Sequence, residues 1–172
     1  KIAEMQALTP EVAWAELDRF YAAQQAEAAK PFWARETVAP PANILLKTLR
    51  NPFDVAALLY ATSDARLGVD LAAVAAQAYF GEHGLYPADL DALVPNYLPE
   101  VPRDPFADAP LLSDFREPVS RAHPAAQREP EGAKVLVIFS VGPDGDDDGG
   151  RDIGRGVEAD SDGDIALTLT AE

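Results

Sequence analysis

Residues 134–170 read KVLVIFSVGPDGDDDGGRDIGRGVEADSDGDIALTLT, and this stretch decides the fold. Its first part, 134–141, is rich in β-branched and aromatic side chains, which predicts a buried β-strand. Its last part, 164–170, alternates between apolar and polar side chains, which predicts a second strand. The connection between them, 142–164, is dominated by aspartate and glycine. The stretch therefore predicts two strands of a small sheet joined by an acidic loop.

The acidity of the chain is concentrated in this loop. The 172 residues carry a formal net charge of -15, and 144–164 alone hold nine acidic side chains against two arginines, a local charge of -7. Nucleic acid and anionic membrane surfaces both bind to basic surfaces, so the composition argues against either as a partner. The absence of cysteine excludes disulfides and thiolate metal sites.

The aspartates of the loop fall into two clusters that suit a hard cation. The candidate ligands are Asp144, Asp146, Asp148, Asp160, Asp162 and Asp164. Calcium takes six to eight oxygen ligands in a flexible geometry, whereas magnesium demands a strict octahedron and zinc prefers cysteine and histidine. Two interpretations stay open. Either calcium, as one ion or two, neutralises the loop, or the loop remains extended and solvated.

An EF-hand is the first calcium template to compare. Asp144, Asp146, Asp148 and Gly149 match the first half of its loop. The twelfth position is Arg155 where a bidentate glutamate is required, and the preceding element is predicted to be a strand and not a helix. The loop is therefore not an EF-hand.

The part of the chain before the sheet is predicted to be helical. Asn51-Pro52 is a helix start signal, and the pattern continues to about residue 82, with possible breaks at 62–64 and at Gly68. Apolar residues recurring at helical spacing predict the packing face; they are Leu58, Leu59, Leu67, Leu71, Val74 and Ala78. The small residues Ala72, Ala73, Ala75 and Ala76 allow another element to approach closely. A short helix is expected over 88–94.

The first fifty residues form a separate helical region by their pattern. Thr9-Pro10 predicts a helix start, Pro31 ends that element at about Lys30, and Pro40-Pro41 marks a linker. We therefore predict a helical N-terminal extension over 1–50 and an α+β module over 51–172. In the module, a long N-terminal helix packs on a small antiparallel β-sheet.

Several motifs resemble one family in their order along the chain. They are Gly84-Leu85-Tyr86-Pro87, Leu93-Val94-Pro95, Tyr97-Leu98-Pro99, Pro102-Arg103-Asp104-Pro105-Phe106, and the pair Gly142-Pro143-Asp144-Gly145 and Asp164-Ile165. Over about 66–170 the chain resembles the globular domain of the major pseudopilin of type II secretion systems. The resemblance implies a pseudopilin-like fold with calcium in the loop between the last strands. By position it implies Asp144, Asp162 and Asp164 as ligands.

These observations lead to expectations about function. We expect a non-enzymatic structural or assembly protein with a calcium-stabilised module, acting through protein–protein contacts at the cell envelope. The expected location is periplasmic or extracellular. The sequence begins at Lys1 and holds no apolar run long enough to span a bilayer, so membrane association is expected only through an anchor or partner outside it. Two alternatives are an accessory subunit of a large membrane complex, docking by its N-terminal helices, and a metal-dependent hydrolase.

Overall fold

The computed structural model describes residues 9–42, 52–116, 135–154, 156–158 and 161–170. The chain divides into two compact units, Lys1–Tyr60 and Ala61–Glu172. The division falls inside the long helix, whereas the sequence pattern places the boundary at residue 50.

The first unit contains helix α1 (Pro10–Ala28). Its N-cap is Thr9, whose side-chain oxygen accepts a hydrogen bond from the backbone N–H of Val12 at 3.4 Å, with proline at the first helical position as predicted. One turn of 3-10 helix follows at Phe32–Ala34. Among the described residues before Pro52, α1 is the only α-helix; residues 1–8 and 43–51 lie outside that description, and further helices there stay a prediction.

The second unit combines most of the long helix with a sheet. Helix α2 (Pro52–His83) runs unbroken through 62–64 and Gly68. Strands β1 (Leu112–Arg116), β2 (Val135–Ser140) and β3 (Ile165–Leu169) form an antiparallel sheet in the order β1-β2-β3. The α+β class is therefore confirmed. The helix expected over 88–94 is wrong in type, because Asp89 caps only one 3-10 turn, Leu90–Leu93.

The predicted packing face of α2 is also wrong. Leu58 is buried, but Leu59, Leu67, Leu71 and Val74 are at least half exposed. The buried face consists of small residues and one valine: Ala61, Ala65, Val69, Ala72, Ala73, Ala75 and Ala76. A Cβ on Gly68 would lie 3.3 Å from both Leu111 Cδ1 and Pro102 Cβ, so the helix runs too close to the core for larger side chains.

Strand β2 is the central strand of the sheet, and the sheet is the middle one of three layers. All six residues of β2 are buried. On one face, Leu136 and Ile138 join the core with the alanines of α2. On the other face, Val135, Val137 and Phe139 form a second apolar cluster. The acidic loop covers that cluster: a Cβ on Gly150 would lie 2.7 Å from Val137 Cγ1 and 3.1 Å from Phe139 Cδ1. The order of layers is thus helix, sheet, acidic loop.

A buried carboxylate fixes the point where β2 enters the loop. Asp104 is 3% exposed and accepts three hydrogen bonds, from the N–H of Phe106 at 2.9 Å, the hydroxyl of Ser140 at 2.8 Å and the N–H of Val141 at 2.8 Å. Bonds from neutral donors to a charged acceptor are among the stronger ones in proteins. Asp104 therefore sets the direction in which the loop leaves the sheet.

Candidate metal centre

The two ends of the acidic loop are tied to each other. Gly142 has a φ of +74°, and a Cβ there would lie only 2.3 Å from the carbonyl oxygen of Gly163, so no other residue fits. The Asp144 carboxylate then accepts a hydrogen bond from the N–H of Gly163 at 3.0 Å. This contact brings the first aspartate of the loop beside the last ones.

Asp164 organises the middle of the loop from inside. Its side chain is fully buried and accepts hydrogen bonds from the N–H groups of Asp148, at 3.4 Å, and Gly150. Its own backbone pairs with the 151–153 segment in a parallel bridge. Burial raises the pKa of the Asp164 carboxyl, the two N–H donors oppose that shift, and the nearby Asp147 and Asp148 carboxylates add to it.

Three carboxylates converge where these constraints meet. One oxygen each from Asp144, Asp148 and Asp162 lies within 4.8 Å of the other two. Three points this far apart all lie within about 2.8 Å of a common centre, against calcium–oxygen distances of about 2.3–2.6 Å. A contraction of at most a few tenths of an ångström would bring all three oxygens to calcium-binding distance. The donor set is all oxygen and anionic, which is the chemistry that calcium prefers.

An arginine already supplies one positive charge to this cluster. The Arg151 guanidinium donates to Asp148 Oδ1 at 3.0 Å and to Asp162 Oδ1 at 2.7 Å, and these carboxylates raise its pKa. The other oxygen of Asp148, Oδ2, is buried and has no hydrogen-bond partner in the part of the chain that is described. A buried carboxylate oxygen without a partner is costly, and a cation would satisfy it. The residues present therefore fit a calcium ion.

The six predicted ligands have different surroundings. Asp144, Asp148 and Asp162 converge as described. Asp146 is exposed, and its backbone N–H donates to Asp144 Oδ1 at 3.4 Å. Asp164 accepts hydrogen bonds from loop backbone instead of joining the three oxygens. Asp160 lies outside the described residues.

Sequence reasoning missed two residues that shape the site. The sequence shows Arg151 only as one of two positive charges in the loop, and nothing in the sequence distinguishes it from Arg155. Arg116 ends β1, and its guanidinium lies 5.9 Å from the centre of the Phe139 ring. There it also approaches the position that a side chain at Gly149 or Gly150 would occupy. Cation–π stacking of this kind depends on tertiary contacts that spacing does not reveal.

A cavity of about 590 Å³ lies elsewhere in the second unit, beside β3. It is lined by Arg66, Val69, Asp70, Asp152, Gly154, Ile165, Ala166 and Leu167. None of the three converging aspartates lines it. The carboxylate cluster and this cavity are therefore separate features.

Comparisons with known proteins give no family for the chain: no family model, no curated protein and no solved structure matches it. The pseudopilin resemblance therefore rests on the motifs and their order. Within the described ranges, no helix has the length and apolar character needed to cross a membrane.

Proposed function

We propose that this chain is a non-enzymatic structural or assembly protein of the cell envelope, periplasmic or extracellular. Its pseudopilin-like module, 51–172, would be stabilised by one calcium ion in the loop 142–164. The observation that carries the proposal is the convergence of Asp144, Asp148 and Asp162 in a loop that also covers one face of the sheet.

The three converging carboxylates would hold the ion, with Asp164 and Asp104 as supports. Bound calcium would supply positive charge where the loop concentrates its negative charge. The chain itself orders the rest of the loop. Asp164 accepts hydrogen bonds from the N–H groups of Asp148 and Gly150, and Asp104 fixes the start of the loop. Because Gly150 lies over Val137 and Phe139, ordering the loop keeps apolar surface of the sheet out of water.

The use made of the carboxylates supports an architectural role. Asp104 and Asp164, which are both buried, accept hydrogen bonds from backbone N–H groups. Asp144 and Asp162 lie at the surface, and Arg151 pairs with Asp162. A metal-dependent hydrolase would gain support from a cleft that joins substrate to the metal ligands, and the cavity beside β3 is lined by other residues.

The second candidate is an accessory subunit of a larger membrane complex that docks through the N-terminal unit. Exposed aromatic and aliphatic side chains on α1 favour it, since Val12 is 50% and Trp14 is 67% exposed. Under this proposal, Trp14→Ala would leave the fold intact and weaken co-purification with the complex. Co-purification unaffected by that change would count against it.

Thermal and urea unfolding with and without calcium test the calcium proposal. At a calcium concentration one hundred times Kd, an ion that binds only the folded state adds about 2.7 kcal/mol to the free energy of unfolding. We expect this gain in the wild type and its loss in Asp144→Ala. The control is Asp108→Ala, which removes an exposed aspartate paired with an exposed arginine. A wild type whose unfolding is unchanged at a calcium concentration one hundred times the expected Kd, or an Asp144→Ala variant that still responds there, would contradict the proposal.

A further inference from the structure

Over residues 61–83, helix α2 turns three of its four larger aliphatic side chains away from the core of the second unit. Leu67, Leu71 and Val74 are 57%, 50% and 71% exposed, while the opposite face buries alanines. Together with the exposed Ala78 they recur every three or four residues, so they lie on one side of the helix over three turns. Scattered exposed leucines are ordinary, but an amphipathic helix normally buries its large aliphatic stripe and exposes its small residues. Here the arrangement is reversed.

The borders of this stripe are acidic on both sides. At about 100° per residue, Asp64 and Asp70 lie about 60° to either side of Leu67 around the helix. Both are exposed. Arg66 is the only basic residue between 61 and 82, and its guanidinium donates to the carbonyl of Gly154 at 2.9 Å, toward the acidic loop. The surface therefore consists of an apolar stripe with negatively charged edges; we call it the Leu67 face, meaning Leu67, Leu71, Val74 and Ala78 with Asp64 and Asp70.

We propose that the Leu67 face docks an amphipathic helix of a partner protein, one whose apolar seam is flanked by lysine and arginine. Residues at spacings of three and four are the side chains that a second helix contacts along a seam, and the charges beside a seam select the partner. A second copy of this chain fits poorly, because both copies carry a net charge of -15 and both would bring Asp64 and Asp70 to the contact. The inference rests on the assembly role proposed above and does not depend on calcium.

The probe is a fluorescein-labelled synthetic helix of about three heptads, with leucine along the seam and lysine beside it. Its binding to the 172-residue chain is followed by fluorescence anisotropy at about 0.15 M salt, where long-range attraction to an acidic protein is largely screened. One comparison peptide has glutamate in place of the flanking lysines, and another keeps the lysines but has glutamine along the seam. We expect each comparison peptide to bind about tenfold more weakly or worse, a difference of about 1.4 kcal/mol.

Variants of the chain separate the face from general electrostatics. Leu71→Asp is expected to weaken binding of the lysine peptide about tenfold. The matched control is Leu85→Asp, which adds the same charge at another exposed leucine, 59% exposed and beyond the end of α2. The double variant Asp64→Lys/Asp70→Lys is expected to prefer the glutamate peptide, which a loss of folding would not produce.

Several results would overturn the inference. They are equal binding of the lysine and glutamate peptides, equal binding by Leu71→Asp and Leu85→Asp, no inversion in the double variant, or no binding of any peptide. A dimer in sedimentation equilibrium that Leu71→Asp dissociates would assign the face to a second copy and also overturn it. Each measurement is made in calcium and in EDTA, and the calcium response of unfolding in Leu71→Asp is recorded. Loss of peptide binding with an intact calcium response then refutes the docking inference alone. Loss of the calcium response with intact peptide binding refutes the calcium proposal alone.

Discussion

Replacing Gly150 with alanine tests whether the acidic loop packs on the sheet. The alanine Cβ would lie 2.7 Å from Val137 Cγ1 and 3.1 Å from Phe139 Cδ1, closer than carbon atoms normally approach. The φ of +73° at this position adds a conformational cost for any L side chain. We therefore expect Gly150→Ala to lower the free energy of unfolding, through steric overlap with the sheet and through backbone strain.

Gly145→Ala separates the two contributions. Gly145 has nearly the same backbone conformation, φ +78°, but a Cβ there meets nothing within 4 Å. An alanine in the left-handed conformation costs about 1–2 kcal/mol, and both variants bear this cost. Both variants also undergo the same change in the conformational entropy of the unfolded chain. Overpacking costs a further 1–3 kcal/mol or so, which only Gly150→Ala bears. The free energy of unfolding should therefore fall by about 1–2 kcal/mol in Gly145→Ala and by about 2–5 kcal/mol in Gly150→Ala.

Urea unfolding of both variants, in EDTA and in calcium, measures these differences. If the loop lifts instead of straining, Gly150→Ala uncovers Val137 and Phe139, and the folded protein binds a dye for apolar surfaces. Equal losses in the two variants, with no dye binding, would refute the packing of the loop on the sheet.

Three further outcomes follow from single contacts. Arg151→Gln removes the guanidinium that competes with a metal ion for Asp148 and Asp162. We therefore expect the metal-free protein to lose stability and calorimetry to show tighter calcium binding. Weaker calcium binding in this variant would contradict the role given to Arg151. Asp104→Asn weakens hydrogen bonds at a buried carboxylate and should cost about 2–3 kcal/mol in urea unfolding, against little change in Asp108→Asn. The hydrogen bond to Glu82 raises the pKa of Tyr97 to about 12. The folded state therefore holds this proton more tightly than the unfolded state. The resulting stability is present below the ordinary tyrosine pKa and is lost as the pH rises through about 12. Absorbance at alkaline pH should show a lower pKa for Tyr97 in Glu82→Gln.

Local sequence patterns predicted the long helix and the two strands that flank the acidic loop, but gave the wrong helix type for 88–94. The β-branched run at 134–141 forms β2 over Val135–Ser140, and the alternating run at 164–170 forms β3 over Ile165–Leu169. The long helix begins at Pro52 as its start signal predicts. These elements are strongly periodic or have clear end signals, so neighbouring residues largely specify them.

Contacts between distant residues were beyond the sequence pattern. The larger aliphatic residues of α2 suggested its inner face, but the closeness of Pro102 and Leu111 to Gly68 selects alanines there. The loop was expected to be acidic and able to bind a cation, yet periodicity could not show that Gly150 lies on Val137 and Phe139. Of the six candidate aspartates, the choice of three depends on hydrogen bonds between residues such as Asp144 and Gly163, nineteen apart in the chain.

Calorimetric titration of the 172-residue chain with calcium is the most direct test of the central claim. The three converging carboxylates predict one ion per chain, and a Kd of about 0.1–1 mM would match extracellular calcium modules. Asp148→Asn removes one of the converging carboxylates and should abolish binding. Asp146→Asn makes the same change of charge at an exposed aspartate outside the cluster and should leave most of it. Absence of calcium binding in the wild type, or equal losses in the two variants, would contradict the account.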